Sequence, residues 1–193
     1  NADLIMRRAG KEGTQVHEAA EQLILGNEVT WMDDYGRAKY SQLVWEMILK
    51  FHDFWTTHKP ELISAEEFVW SDKHKYAGTA DIVCKMNGEI WLLDIKTSNS
   101  VHKSFDLQLA SYAKALEESK NQKIDRTGII WLKAQSRGPS KQKNVIQGKG
   151  WKVLQIDKIE ENFELFQLIY RLYGLEHPVV EPIYNSYPTT LKL

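Results

Sequence analysis

The sequence predicts an α/β fold in which a mixed central β-sheet is flanked by α-helices. Three observations support this prediction. Apolar residues recur at helical spacing near both ends of the chain and once in its middle, extended segments lie between them, and Asn87-Gly88 joins two of those segments. The predicted order is two helices, three strands, a helix, two strands and a helix. No repeat or long linker divides the chain, so we expect one domain over residues 1–193.

Apolar stripes predict helices over about residues 10–25, 34–57, 105–118 and 158–173. Gly26-Asn27 ends the first of these helices, and Pro60 shows that the second has stopped. Extended patterns predict strands over residues 62–70, 79–86, 89–96, 127–134 and about 151–156.

The turn at Asn87-Gly88 sets a strand register that matters for chemistry. With a two-residue loop, Met86 faces Glu89, and counting outward places Asp81 opposite Asp94. Directly paired residues point to one face of the sheet, with Cβ atoms roughly 5 Å apart. Two like charges at that distance are destabilising unless a cation lies between them. The register therefore predicts a bound hard cation, Mg²⁺ or Mn²⁺.

Lys96 lies two residues beyond Asp94 and so shares its face of the strand. The Ile95 side chain points away, but its backbone carbonyl can still reach a metal. The competing interpretation is a surface hairpin with a plain Asp–Lys ion pair. Because Asp94 ends the core-strand run Ile-Trp-Leu-Leu, where unpaired charge is costly, we favour the metal site. A metal-bound water beside a lysine suggests phosphodiester cleavage.

Composition limits the classes of protein that remain. The chain has 193 residues, 42% apolar and 26% charged, which is typical of a globular protein with a real core. No apolar run approaches the roughly 20 residues of a membrane span, and no signal peptide is visible. The single cysteine, Cys84, excludes an internal disulfide and fits a cytoplasmic protein. Because the net charge is −1, binding to nucleic acid needs a local basic surface.

Four segments, in this order, resemble the motifs of the PD-(D/E)xK nuclease superfamily in its RecB-like branch. They are Gly-Thr-Gln-Val-His-Glu-Ala-Ala-Glu at 13–21, Gly-Thr-Ala-Asp at 78–81, Asp-Ile-Lys-Thr-Ser at 94–98 and Gln-Leu-Ala-Ser-Tyr at 108–112. Each segment alone is a weak signal, but four in order at fitting distances are specific. The branch includes phage and mitochondrial exonucleases.

The resemblance implies a restriction-endonuclease-like core of αβββαβ order and a Mg²⁺- or Mn²⁺-dependent deoxyribonuclease, with an exonuclease of phage or prophage type favoured. It implies that the metal is held by His17, Asp81, Asp94 and the Ile95 carbonyl, and that Lys96 positions the attacking water. Gln108 and Tyr112 then shape the site, one helical turn apart. Recombination or repair of DNA in a bacterial or phage-infected cell is the expected role, with a homo-oligomer or a recombination partner protein as further options.

The family also carries an acid on the strand before the Gly-x-x-Asp motif. Glu66 and Glu67 are adjacent here, and alternation lets only one of them face the site. Periodicity does not decide between them. The local pattern around Ala65-Glu66 favours Glu66, and we expect Glu67 to be solvated. Glu21 is open to two interpretations, a partner of His17 or a solvated side chain, and we favour the second.

A basic segment follows the fourth predicted strand. It carries Arg137, Lys141, Lys143 and Lys149 without an acid, among glycines typical of a loop. Most such runs are solvated loop tips, but beside a nuclease site we expect these four residues to contact phosphates. Trp151 could stack on bases or pack in the core. The competing function is a nucleic-acid-binding module that has lost catalysis, and the presence of every motif position favours the active enzyme.

Overall fold

A computed structural model describes residues 2–133, 150–178, 188 and 190–192. Four helices lie in this part of the chain: α1 (Ala2–Ile24), α2 (Gln42–His58), α3 (Lys103–Lys120) and α4 (Ile159–Glu176). Five strands accompany them: β1 (Glu61–Ser71), β2 (Tyr76–Met86), β3 (Glu89–Lys96), β4 (Arg126–Trp131) and β5 (Lys152–Ile156). The predicted order of elements and the α/β class are confirmed.

The five strands form one mixed sheet in the order β1-β2-β3-β4-β5. Strands β3 and β4 are parallel, and the other three neighbouring pairs are antiparallel. The parallel pair needs a crossover connection, and α3 supplies it. The end of β3 therefore leads directly over the sheet into α3, which brings the residues that follow Asp94 close to that helix.

The sheet is covered on both faces. On one face the buried side chains of α1 and α2, such as Val16 and Phe51, pack with Ile82 and Leu93 of the sheet. On the other face the buried side chains of α3 pack with a second set of strand residues, which includes Ala80, Val83, Leu92 and Ile129. Helix α4 packs on α3. The central strands are consequently buried on both sides.

The register around the Asn87-Gly88 turn is the predicted one as far as Ile82 and Leu93, the last pair of the ladder. Counting outward from the turn, Asp81 and Asp94 come immediately after that pair and are not paired in the ladder. The Asp81 carboxylate instead accepts the N–H of Ile95 at 2.8 Å. The β2–β3 ladder therefore ends next to the two carboxylates.

The predicted start of the second helix is wrong. Residues from 34 to 41 form a loop, in which the Asp33 carboxylate accepts the backbone N–H groups of Tyr35 and Arg37 at 2.9 and 2.8 Å. Helix α2 begins after Ser41, whose hydroxyl accepts the N–H of Val44 as an N-cap. A side chain that bonds the nearby backbone offers it an alternative to helix, and this contact overrides the apolar pattern.

Within the described ranges, no helix has both the length and the apolar character that crossing a bilayer requires.

Candidate active site

The centre of the site is a buried ion pair on β3. Asp94 is 3% exposed, and its carboxylate oxygens lie 3.0 and 2.7 Å from the Lys96 ammonium nitrogen. Alternation along the strand places both side chains on the face covered by α3. Oδ2 of Asp94 is buried, and no donor among the described residues is directed at it in hydrogen-bond geometry. Oδ2 thus has an ion-pair contact with Lys96 but no hydrogen bond of good geometry, which leaves it able to accept a further ligand.

Residues of helix α3 contact the Lys96 ammonium and hold it in place. The Lys96 ammonium donates to Oε1 of Gln108 at 3.1 Å, and the amide nitrogen of Gln108 donates to the Tyr112 hydroxyl at 3.2 Å. The same ammonium lies 4.6 Å from the centre of the Phe105 ring, a cation–π contact. Sequence reasoning did not identify Phe105, although its position three residues before Gln108 places it on the same helix face.

Gly78 has a role that sequence reasoning also missed. A Cβ atom at this position would lie 2.4 Å from the Tyr112 ring, closer than real Cβ contacts allow. The ring of Tyr112 thus rests directly on the backbone of β2. The Tyr112 hydroxyl accepts a hydrogen bond from Gln108, and Gln108 accepts one from Lys96. Gly78 leaves room for the Tyr112 ring and so helps to position Lys96 through Tyr112 and Gln108.

Asp81 links the sheet to α1. Its Oδ2 atom accepts the Ile95 N–H and lies 3.3 Å from Nδ1 of His17. Burial lowers the pKa of His17, and the nearby charges of Asp94 and Glu66, together with a backbone contact to Ile95, partly oppose the shift. The neutral imidazole is the form that ligates a metal.

Glu66, rather than Glu67, lies beside Asp81. Glu66 has a φ of 46°, a left-handed conformation that is uncommon outside glycine. It sits between the paired positions Ala65 and Glu67 of β1. Glu67 forms an ion pair with Lys120 of α3 at 2.9 Å, so the expectation of a solvated Glu67 is wrong. The attraction between the Glu67 carboxylate and the Lys120 ammonium explains why Glu67 turns toward α3.

Three side chains can offer ligand atoms to one ion. A nitrogen of His17 and carboxylate oxygens of Glu66 and Asp81 all lie within 4.8 Å of one another. Carboxylate oxygens suit Mg²⁺ and Mn²⁺, and an imidazole ligand favours the second. Oδ2 of Asp94, which has an ion-pair contact with Lys96 but no hydrogen bond of good geometry, offers a fourth ligand atom near this group. The donor set fits a divalent cation of this kind.

The acids of the site carry raised pKa values. Burial raises the pKa of Asp81 to about 6, and the Ile95 hydrogen bond and the Lys96 charge partly oppose it. Burial and then the charge of Asp81 raise the pKa of Asp94 to about 6. Burial and the same Asp81 charge also raise the pKa of Glu66. Without a cation these acids repel one another, and a bound cation relieves that repulsion.

A cavity of about 610 Å³ leads to the three-residue group from the α1 side. Its lining includes His17 and Glu66 with two further acids of α1, Glu18 and Glu21. Glu21 is half-buried there and contributes to the raised pKa of Glu66. The entrance is therefore strongly acidic, a surface that attracts cations and repels phosphates.

The structure brings together eight residues singled out from the sequence: His17, Glu66, Asp81, Asp94, Ile95, Lys96, Gln108 and Tyr112. The four basic residues Arg137, Lys141, Lys143 and Lys149 lie outside the described residues. Trp151 packs edge-on against Phe54 and His58. Its indole N–H donates to Asp53, so the structure places it with the core rather than on an open surface.

Comparisons with known proteins agree with this geometry. Residues 5–173 match the family model of the PD-(D/E)XK nuclease superfamily. Among solved structures, the chain is similar to a crystal structure of a putative exonuclease from Eubacterium rectale, with a TM-score of 0.52 and 11% sequence identity over 89% of this chain and 70% of that one. At that identity the likeness shows a shared fold. A search of curated proteins gives no match.

Proposed function

This chain belongs to the PD-(D/E)XK nuclease superfamily, and we propose that it is a metal-dependent deoxyribonuclease of the RecB-like branch. The observation that carries the proposal is the buried Asp94–Lys96 pair beside the His17, Glu66 and Asp81 group. A protein that only bound nucleic acid would gain nothing from burying Asp94 and half-burying Asp81 at such a cost.

In this proposal, Asp81, Asp94, Glu66, His17 and the Ile95 carbonyl hold Mg²⁺ or Mn²⁺. When bound, the ion would polarise the phosphate and lower the pKa of a water molecule. Asp81 contributes one oxygen while the other keeps the Ile95 N–H, so the carboxylate has little rotational freedom. The raised pKa values of Asp81 and Asp94 support this assignment, because a bound cation would relieve the repulsion between the two ionised carboxylates.

Lys96 positions the attacking water and offsets charge on the phosphorane. Its ammonium has three N–H donors, and Asp94 and Gln108 accept two of them. The remaining donor is available to a water or a phosphate oxygen. Because Phe105 and α3 hold the ammonium from one side, that donor has a fixed direction. Water then attacks phosphorus and loses a proton to solvent, the P–O bond to the leaving oxygen breaks, and that oxygen takes up a proton from solvent.

DNA is the substrate that we propose, and an exonuclease is the activity that we favour. The similarity to the Eubacterium rectale protein, which is described as an exonuclease, supports the choice of an exonuclease. Recombination or repair in the cytoplasm of a bacterial or phage-infected cell is the proposed setting. A homo-oligomer or a recombination partner protein would be compatible with it, and the basic segment with Arg137, Lys141, Lys143 and Lys149 is the proposed phosphate contact.

Cleavage of end-labelled single- and double-stranded DNA, with Mn²⁺, Mg²⁺ or EDTA, tests the proposal. We expect metal-dependent product release by the wild type and a loss of at least about 100-fold in Asp94→Asn and Lys96→Ala. Lys85→Ala, which removes an exposed lysine from β2, is the matched control and should cleave normally.

Binding of Mn²⁺ by calorimetry separates the enzyme from an inactive module of the same fold. The enzyme should bind Mn²⁺ in the wild type and lose most of the binding in Asp81→Asn. Intact DNA after incubation with either ion, together with normal DNA binding, would favour the inactive module instead.

A further inference from the structure

A second cavity, of about 330 Å³, lies between β2, α3 and α4, and its described lining shares no residue with that of the acidic entrance. Its walls are mostly aromatic, and the residues that matter here are Tyr76, Gln108, Ser111, Tyr112, Phe166 and Tyr170. Gln108 and Tyr112 also belong to the hydrogen-bonded chain that ends at Lys96. The cavity is thus next to the catalytic centre, with Gln108 and Tyr112 forming the wall between them.

The aromatic wall is ordered by its own contacts. Phe166 and Tyr170 stack on α4 with ring centres 5.7 Å apart and planes inclined by 7°. Tyr76 meets Phe166 edge-on at 5.0 Å and donates its hydroxyl to the Ser111 carbonyl. The Tyr170 hydroxyl donates to the Lys75 carbonyl, while the side chain as a whole is 40% exposed. The rings therefore present a preformed surface that needs little ordering when a ligand binds.

Charge distinguishes the two cavities beside the catalytic centre. The entrance on the α1 side is lined by Glu18 and Glu21 in addition to the proposed metal ligand Glu66, whereas the described lining of the aromatic cavity contains no acid. A polyanionic strand bound at Lys96 is repelled on the first side and is free of that repulsion on the second. Charge therefore favours the aromatic cavity as the side on which a strand bound at Lys96 continues.

We propose that this cavity binds one unpaired nucleobase of the strand being cut, next to the scissile phosphate. The inference rests on the proposed nuclease function and specifies its substrate class. A base that stacks on protein rings cannot remain paired in a duplex, so the nucleotide at this subsite is single-stranded. The substrate is single-stranded DNA or a duplex end that frays, and an unbroken blunt duplex is cut more slowly.

An abasic walk tests the subsite: a series of short single-stranded oligonucleotides is prepared, each with one abasic nucleotide at a different position. The initial rate of cleavage by the wild type with Mn²⁺ is measured for each oligonucleotide. We expect one position within a few nucleotides of the cut at which the loss of the base lowers kcat/KM by about 5- to 100-fold, the range of one stacked base. In Tyr170→Leu and Phe166→Leu that penalty should fall to less than about twofold.

Two further variants show whether the effect comes from the ring. Tyr170→Phe keeps the ring and loses only the hydroxyl, so it should keep the abasic penalty. Tyr173→Leu removes the next exposed aromatic residue of α4, which stacks on His177 and does not line the cavity, and it should behave as the wild type. Thermal melts of all four variants identify any that are unfolded.

The outcomes separate the two proposals. If DNA is cleaved but the abasic penalty is absent, or is equal in the wild type and Tyr170→Leu, the base subsite is refuted and the nuclease stands. If no DNA is cleaved, the nuclease proposal fails. The same abasic walk, read by fluorescence anisotropy of labelled oligonucleotides with Ca²⁺, then tests the subsite on its own. Equal binding by the wild type and Tyr170→Leu would assign the cavity to another ligand, such as a protein side chain.

Discussion

Replacing Asp81 by asparagine should abolish catalysis and, without metal, make the protein more stable. The Asp81 side chain is 11% exposed, and burial raises its pKa from 3.8 to about 6. Asparagine keeps an oxygen that can accept the Ile95 N–H and removes the charge that repels Asp94 and Glu66. The variant therefore loses the electrostatic cost of the site while it retains the hydrogen bond that orders the strand end.

The magnitude follows from linkage between protonation and folding. A shift of about two pKa units corresponds to roughly 3 kcal/mol for the ionised form of Asp81. Because the pKa is higher in the folded state, the contribution of this group to stability is present below pH 3.8 and is lost as the pH rises through about 6. At pH 7 in EDTA, Asp81→Asn should be about 2–3 kcal/mol more stable than the wild type, a rise of about 5–10 °C in Tm.

Thermal melts in EDTA at several values of pH from 4 to 7 measure this difference. The difference in Tm between the variant and the wild type should be largest at pH 7 and almost zero at pH 4. Added Mn²⁺ should raise the Tm of the wild type and leave the variant almost unchanged. Asp34→Asn removes the same charge from an exposed loop and should change neither curve. A variant that melts below the wild type at pH 7, or a gap independent of pH, would refute the reasoning.

Three other perturbations have definite expected results. Gly78→Ala should lower stability by about 1–3 kcal/mol and reduce cleavage, because its Cβ would displace the Tyr112 ring. Adding Tyr112→Leu to Gly78→Ala should recover the stability but not the activity. Thermal melts and cleavage assays measure the two effects. Cys84 is buried with its pKa raised to about 12, so a thiol reagent at pH 8 should label it only after denaturation. Ser41→Ala should cost about 1 kcal/mol in urea unfolding through the lost helix cap, whereas Ser41→Asp should cost almost nothing.

Local patterns were enough to predict most of the sheet. The bounds of β3 were predicted to the residue, because Asn87-Gly88 defines a tight turn and the apolar run has the length of a strand. The place of Lys96 beside Asp94 followed from alternation alone. The start of α2 was wrong because the Asp33 side chain bonds nearby backbone, a local contact that the apolar pattern does not contain.

The choice between Glu66 and Glu67 was beyond periodicity for a physical reason. Alternation assumes a regular strand, and the left-handed φ of Glu66 breaks that regularity. The break lets Glu66 approach Asp81 while Glu67 pairs with Lys120 of α3. No residue near these two in the sequence signals that a lysine from a distant helix lies above the strand.

The sequence by itself determined the order of elements, the register of the hairpin, and the set of acids, histidine and lysine from which the site is built. Those features depend on turn chemistry, on the period of apolar residues and on motifs of a few neighbouring residues. The tertiary structure alone decided how the set is connected. Contacts such as Lys96 to Gln108, Tyr112 on Gly78 and His17 to Asp81 join elements that are distant along the chain. They depend on how helices cross the sheet, which no local pattern specifies.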